Sequence, residues 1–223
     1  ALDVLIAEDN KVNQQVAQLI LSKAGHRVDL ADDGRQAVAA ARVNEYDVIL
    51  MDLQMPELDG IAAAREIRQL SGRAGQVPII ALTSHAMAGM REEVIAAGMD
   101  DYVSKPFDAH VLLAKLQHLA AFRNAGGQRK AQSVPEHSSN KGVVRFERDK
   151  LDELRTMSTP AAFVPLLSNL IEAIEQRAEA IRRFIAREEL DAAAREAHHL
   201  VGIAGNVGGM RLSALYRQLQ HAC

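Results

Sequence analysis

Residues 48–60 read Val-Ile-Leu-Met-Asp-Leu-Gln-Met-Pro-Glu-Leu-Asp-Gly: an apolar run that stops at Asp52 and gives way to a turn-rich loop. Such a run is a buried strand that delivers an acid to the edge of a sheet. The same construction recurs. Val4-Leu5-Ile6-Ala7 ends in Glu8 and Asp9, Ile79-Ile80-Ala81-Leu82 ends in Thr83, and Tyr102-Val103-Ser104 is followed by Lys105. Helical patterns separate these runs, so strands are expected near 3–8, 26–30, 46–51, 77–83 and 101–104, and helices near 11–24, 35–43, 59–70, 86–97 and 108–121. This alternation predicts a doubly wound α/β fold with a five-stranded parallel sheet, in the order 2-1-3-4-5. In such a sheet the ligand crevice lies outside the carboxyl ends of the strands, where the polar residues just named fall.

Three carboxylates in one crevice repel one another unless a cation joins them, and oxygen ligands suit a hard ion such as magnesium or calcium. A lysine and a threonine hydroxyl beside them suit a phosphoryl group, whose charge in transfer is spread over oxygens that need cations and donors. Asp52 is then a nucleophile that forms an acyl phosphate. A hydrolase acting through Asp52 would need a second acid two residues later, where Gln54 stands.

The segments Ala7-Glu8-Asp9-Asn10, Met51-Asp52, Met55-Pro56, Asp59-Gly60, Ala81-Leu82-Thr83-Ser84 and Ser104-Lys105-Pro106-Phe107 resemble a response-regulator receiver domain over residues 1 to about 121. Asn10, Asn13 and Gln14 are similar to those of receivers embedded in hybrid sensor histidine kinases. The resemblance implies that Asp52 accepts phosphate from a phosphohistidine. It implies that Glu8, Asp9, Asp52 and the main-chain carbonyl of Gln54 hold Mg2+, that Lys105 contacts the phosphoryl, and that Thr83 and Tyr102 form the switch pair.

At 223 residues the chain exceeds the usual size of one domain. The expected division is a receiver over 1–122, a flexible linker over 123–145, rich in Gly, Ser and charge, and an all-α helical bundle over 146–223. Within the bundle, Leu151, Leu154 and Met157 mark a short helix, and Thr159-Pro160 reads as an N-cap with proline at the first helical position. Phe163, Leu167, Leu170, Ile174, Ala178, Ile181 and Ile185 form one apolar stripe; Leu190, Ala193, Ala197, Leu200, Ala204 and Val207 form another. A further helix is expected from about Gly209, and the bundle reads as lacking its last helix. With Ala1 where an initiator methionine would be, the chain reads as a piece of a longer protein.

His198 lies one residue off the second stripe, so it is expected beside the core, exposed, with Ala194, Arg195, Val201, Gly202 and Gly205 around it. Two helical glycines, each costing about 1 kcal/mol relative to alanine, suggest room for a docking protein. Residues 197–208, Ala-His-His-Leu-Val-Gly-Ile-Ala-Gly-Asn-Val-Gly, resemble the phosphorylation helix of histidine-containing phosphotransfer domains. The family's lysine three residues after the histidine is Val201 here, which leaves Arg195 as the substitute cation. His199, three residues after Glu196, reads as half of a solvated pair.

These readings combine into a phosphorelay segment of a hybrid histidine kinase. Asp52 receives a phosphoryl group and His198 carries one to or from a receiver, the partners being an upstream kinase domain of the same parent and a downstream response regulator. The alternative is a receiver-controlled docking or dimerisation bundle in which His198 is not phosphorylated. No P-loop or glycine-rich nucleotide box occurs, so ATP is not expected to bind. A formal net charge of −3 and the absence of a basic helix face argue against nucleic acid. Cys223 alone permits neither an internal disulfide nor a thiolate cluster, and the remaining histidines lack ligand spacing, so no zinc is expected. No apolar stretch is long enough to span a bilayer, and a cytoplasmic segment without membrane contact is expected, any membrane anchor belonging to the parent protein.

Overall fold

Five short strands pair in parallel in the order β2-β1-β3-β4-β5, which is the order expected. They are β1 (Asp3–Ala7), β2 (Arg27–Ala31), β3 (Val48–Asp52), β4 (Ile79–Thr83) and β5 (Asp101–Ser104). The helices between and after them are α1 (Lys11–Lys23), α2 (Gly34–Val43), α3 (Gly60–Arg68), α4 (Met90–Ala96) and α5 (Ala109–Asn124). The structure is a computed structural model that describes residues 1–83, 90–105, 108–124, 148–206 and 209.

The central strands β3 and β4 are buried at every position, and β1 at all but its first. That follows from their uninterrupted Val, Ile, Leu and Met, since a parallel strand covered by helices on both faces has no side facing water. The edge strand β2 is mostly exposed, and its Arg27 and Asp29 bond outward, Arg27 to Asp3 and Asp29 to the Tyr46 hydroxyl at 2.8 Å. Because chain order reverses direction around β1, the crevice opens between β1 and β3 at the carboxyl edge.

Arg68, at the end of α3, ties the opposite edge together. Its guanidinium donates to the carbonyls of Gly98 at 2.6 Å and Val77 at 2.7 Å and to Asp100 Oδ2 at 2.8 Å. A rigid base of this kind leaves the carboxyl edge free to carry the loops.

A second compact unit lies within residues 140–223. It contains α6 (Arg148–Met157), α7 (Pro160–Ala186) and α8 (Leu190–Asn206). Thr159 occupies the N-cap position of α7, with Pro160 next to it, but its side chain makes no capping hydrogen bond. In α7 the residues Leu166, Leu170 and Ile181 are buried, whereas Ile185 is exposed. Leu166 lies outside the stripe that the spacing predicts. Ile185 and Leu190, both exposed, flank the α7–α8 turn.

The first unit's helical part extends past the expected boundary at 122, because α5 continues through Arg123 and Asn124. Nothing in that pair breaks a helix; the glycines come only at 126 and 127. Residues 125–147, most of the expected linker, and 210–223, nearly all of the expected final helix, lie outside the described residues, as do Ser84, Pro106, Phe107 and Val207.

Candidate functional site

The strand ends bring Glu8, Asp52 and Lys105 into one buried cluster, with Thr83 buried at the end of a neighbouring strand. Glu8 follows β1, and its N–H still donates to the Ala31 carbonyl of β2 at 3.1 Å; Asp52 is the last residue of β3 and Thr83 the last of β4. Lys105 follows β5, anchored by its N–H to the Thr83 carbonyl at 2.6 Å. Their exposures are 1% for Glu8, 2% for Asp52, 4% for Thr83 and 3% for Lys105, so whatever charges they hold must be balanced locally.

The balance is visible in the contacts. Lys105 Nζ lies 2.5 Å from Glu8 Oε2 and 2.6 Å from Asp52 Oδ2. Burial, reinforced by the charge of Asp52, pushes the Glu8 carboxyl up to about 7 against the pull of Lys105. Burial likewise raises Asp52, with Lys105 opposing and Asp9 adding to the rise. Burial disfavours the Lys105 ammonium, yet the two carboxylates outweigh it and hold the amine above the usual lysine range. One ammonium does not neutralise three acids. Glu8, Asp9 and Asp52 each offer a carboxylate oxygen, all within 4.8 Å of one another, an all-oxygen donor set that fits a hard divalent cation.

The loops are shaped to hold these groups. The N–H of Gly60 donates to the Leu53 carbonyl at 3.0 Å, and a Cβ at Gly60 would sit 2.1 Å from the Asp52 carbonyl oxygen, so only glycine lets α3 begin this close to the acid. Between them Glu57 takes a left-handed φ of 62°, and the Leu58 N–H closes a tight turn onto the Pro56 carbonyl at 2.6 Å. Gln54, whose carbonyl the family resemblance places among the metal ligands, directs its N–H toward Asp52 Oδ1 at 3.4 Å. On the other side, Asn10 caps α1 by accepting from the N–H groups of Val12 and Asn13.

Tyr102 is half-buried on β5, beside an ion pair that the sequence does not reveal. Lys115 of α5 donates to both oxygens of Asp101, at 2.8 and 2.7 Å, and its ammonium stands 5.4 Å from the centre of the Tyr102 ring. In the sequence Lys115 is only one position in a helical pattern.

In the helical unit the expected open face around His198 is closed. His198 is 6% exposed and Val201 is fully buried, as are Ala197, Leu200 and Ile203; Gly202 and Gly205 are buried too. The reason is compositional. From Ala197 to Gly205 every residue but His199 is buried, so α8 has an apolar surface around most of its circumference rather than one seam, and such a helix is covered on most sides. Arg195 is exposed one turn earlier. Glu196 bonds across the helix pair to Arg177 at 2.8 Å, while the His199 ring packs edge-on to that of His198, 6.0 Å between centres at 82°.

Comparison with known proteins bears on both units. The family model of the response regulator receiver domain matches residues 4–117, and that of the Hpt domain matches 165–223. The chain belongs to the response regulator receiver domain family. The receiver resembles the crystal structure of the receiver domain of sensor histidine kinase PA1611 from Pseudomonas aeruginosa PAO1. The identity is 46%, the TM-score 0.51, and the match covers 54% of this chain and 98% of that one. That structure has a magnesium ion coordinated in its active-site cleft. The sensor histidine kinase GacS of Pseudomonas protegens is 32% identical over 219 residues, 95% of this chain and 23% of its own length. The signal transduction histidine-protein kinase BarA of Escherichia coli K12 is 44% identical over 108 residues, 48% of this chain and 12% of its own length. The chain therefore spans about a quarter or less of these curated relatives.

A receiver followed by an Hpt domain is a phosphorelay arrangement, and phosphorelay signal transduction is the function class of this chain. The Hpt match disfavours the alternative of a bare docking bundle. Among the described residues, no helix is long and apolar enough to cross a membrane. Two contributors to the receiver site, Gly60 and Asn13, are legible in the sequence only as letters of a motif. Their signal is position: one follows the loop after Asp52, the other sits in the first turn after Glu8.

Proposed function

We propose that Asp52 is the phosphoacceptor of the receiver and His198 that of the Hpt domain, within a hybrid histidine kinase whose upstream kinase domain supplies phosphate and whose downstream partner is another receiver. The observation that carries this reading is Asp52 itself: buried at the end of β3, 2.6 Å from Lys105 Nζ and within 4.8 Å of the ligand oxygens of Glu8 and Asp9. In the transfer step an Asp52 carboxylate oxygen attacks the phosphorus of a phosphohistidine. A P–O bond forms as the P–N bond breaks, and the departing imidazole takes up a proton to become neutral.

Lys105 pairs with a phosphoryl oxygen as the charge moves outward from Asp52. Glu8, Asp9, Asp52 and the main-chain carbonyl of Gln54 would hold Mg2+, which supplies the positive charge that a loose phosphoryl transition state requires. Thr83, next to the cluster, and Tyr102, against the Lys115–Asp101 pair, act as the switch pair that reads the new charge. In the Hpt domain the 6% exposure of His198 requires its cover to move before a receiver can reach the ring, and Arg195, exposed one turn earlier, is the cation proposed to meet the phosphoryl there. The segment works in the cytoplasm, without nucleic acid or membrane contact.

Asp52→Asn tests the reading. With Mg2+ and a small phosphodonor such as acetyl phosphate, the parent receiver is expected to gain one base-labile phosphate, and Asp52→Asn or chelation to abolish it. Undiminished labelling of Asp52→Asn would contradict the assignment.

A further inference from the structure

Glu8 is a buried side chain with several rotatable bonds, yet one of its oxygens must face Lys105 and the other acids. What fixes it comes from α1. The Asn10 cap sets the first turn of the helix, and that turn carries Asn13 over the end of β1. There Asn13 Nδ2 donates to Glu8 Oε1 at 3.0 Å, with Asn13 2% and Glu8 1% exposed. The Asn10 N–H approaches the same oxygen at 3.4 Å. With Oε1 occupied from α1, Oε2 is the oxygen left to turn toward Lys105, 2.5 Å away.

Gln14, the next residue, grips the main chain of the same position. Its Nε2 donates to the Glu8 carbonyl at 2.5 Å and to Asp32 Oδ1 at 2.8 Å, and Asp32 in turn pairs with Lys11. Backbone and side chain of Glu8 are therefore held by consecutive residues of one helix turn. A carboxamide suits the side-chain half of this grip, because it donates to the acid without adding a charge to a cluster that already holds three carboxylates. Leucine has nearly the same size and no donor; aspartate has the same shape and the wrong charge.

We propose that Asn13 is a positioning residue that orients Glu8 for Mg2+, and that it sets the preference of the site for Mg2+ over larger cations. This rests on the magnesium reading of the Glu8, Asp9 and Asp52 cluster. Mg2+ demands near-ideal octahedral geometry with short ligand distances, whereas Ca2+ tolerates varied ligand numbers and angles. Loosening one acid therefore penalises Mg2+ more than Ca2+. Partners that orient a ligand from outside the coordination sphere typically contribute ten- to a hundredfold in metal affinity, about the range expected here.

The experiment is calorimetric titration of the full chain with MgCl2 and, separately, CaCl2, comparing the parent with Asn13→Leu, and with Asn13→Ala should the leucine variant fail to fold. The melting temperature of each metal-free protein is measured alongside. The expected result is an Mg2+ Kd raised by about ten- to a hundredfold in Asn13→Leu, with a smaller rise for Ca2+. Equal Mg2+ affinity in parent and Asn13→Leu overturns the proposal while leaving the metal site intact. A parallel fall for both ions, accompanied by a lowered metal-free melting temperature, also overturns it, since that is the behaviour of a packing residue. Absence of Mg2+ binding by the parent chain overturns the magnesium reading itself, and the Asn13 proposal with it.

Discussion

The proposed phosphoryl site of the receiver and His198, the proposed phosphoacceptor of the Hpt domain, are both buried, but by different means. At the strand ends, Glu8, Asp52 and Lys105 are 1–3% exposed and compensate one another across 2.5 and 2.6 Å. His198, at 6%, is surrounded in its own helix by Ala197, Val201 and two glycines, and the nearest helical cation, Arg195, is exposed to solvent. The receiver is a site prepared in advance, its charges already facing one another. On the proposed reading the Hpt histidine has to be uncovered before it can accept phosphate, so the slow events in the two halves should differ in kind: chemistry and metal binding in one, access in the other.

The largest effect that would break this comparison is at the histidine. His198→Gln should remove all acid-labile phosphate from the Hpt domain when a phosphorylated receiver is the donor, and His199→Gln should leave most of it, as read by rapid-quench labelling. Retention in His198→Gln with loss in His199→Gln would move the site by one residue. The burial difference also predicts that an imidazole-acylating reagent modifies His199 faster than His198; equal rates would mean that the cover is open in solution.

Next in size is Gly60→Ala. A Cβ 2.1 Å from the Asp52 carbonyl must push α3 or the strand end away, at a cost of about 1–3 kcal/mol typical of overpacking. Chemical denaturation should show the receiver transition lowered and the Hpt transition unmoved. A shift in both would show that the two units unfold together.

A smaller effect concerns pH. With the Glu8 carboxyl raised from 4.5 to about 7, the folded metal-free receiver binds more protons between those values than the unfolded chain does. This contribution to stability is therefore complete below 4.5 and is lost as pH rises through about 7. Metal binding works in the opposite direction, because the ligands must be deprotonated. Urea midpoints at pH 5 and pH 8 without metal should fall with pH, and Glu8→Gln should flatten the change; an unaltered slope in that variant would assign it to another group.

The smallest effect belongs to Arg195. An exposed arginine meeting a phosphoryl group in water contributes about 0.2–1 kcal/mol, so Arg195→Ala should slow transfer no more than about fivefold. Restoring a cation through Val201→Lys, attractive from the motif alone, would place an ammonium at a fully buried position and should unfold the unit rather than help it.

The receiver site is legible in the sequence because strand direction does most of the placing. Once β1, β3, β4 and β5 run parallel, the residues after their last apolar positions share an edge whatever the loops do, so Glu8, Asp52 and Lys105 meet and Thr83 lies buried at the end of β4. The Lys115–Asp101 pair stays hidden because it joins residues from two elements whose packing no local pattern specifies. In α8 the difficulty is angular. One residue is a turn of about 100°, so a seam drawn through Ala197 and Leu200 leaves His198 outside it, while the actual buried arc spans both. Periodicity identifies a helix and one of its faces. It does not say how wide the cover is when small and apolar residues continue around the side.

The central claim is that one chain bears two phosphoacceptors of different chemistry, and the lability of its phosphate tests it most directly. The full chain, loaded by a phosphorylated kinase domain in the presence of Mg2+, is split between acid and base treatment and digested to locate the surviving label. The account predicts a base-labile phosphate on a receiver peptide containing Asp52 and an acid-labile phosphate on a peptide containing His198. Label confined to one unit with a single lability, or resistant to both treatments as a phosphotyrosine would be, contradicts it.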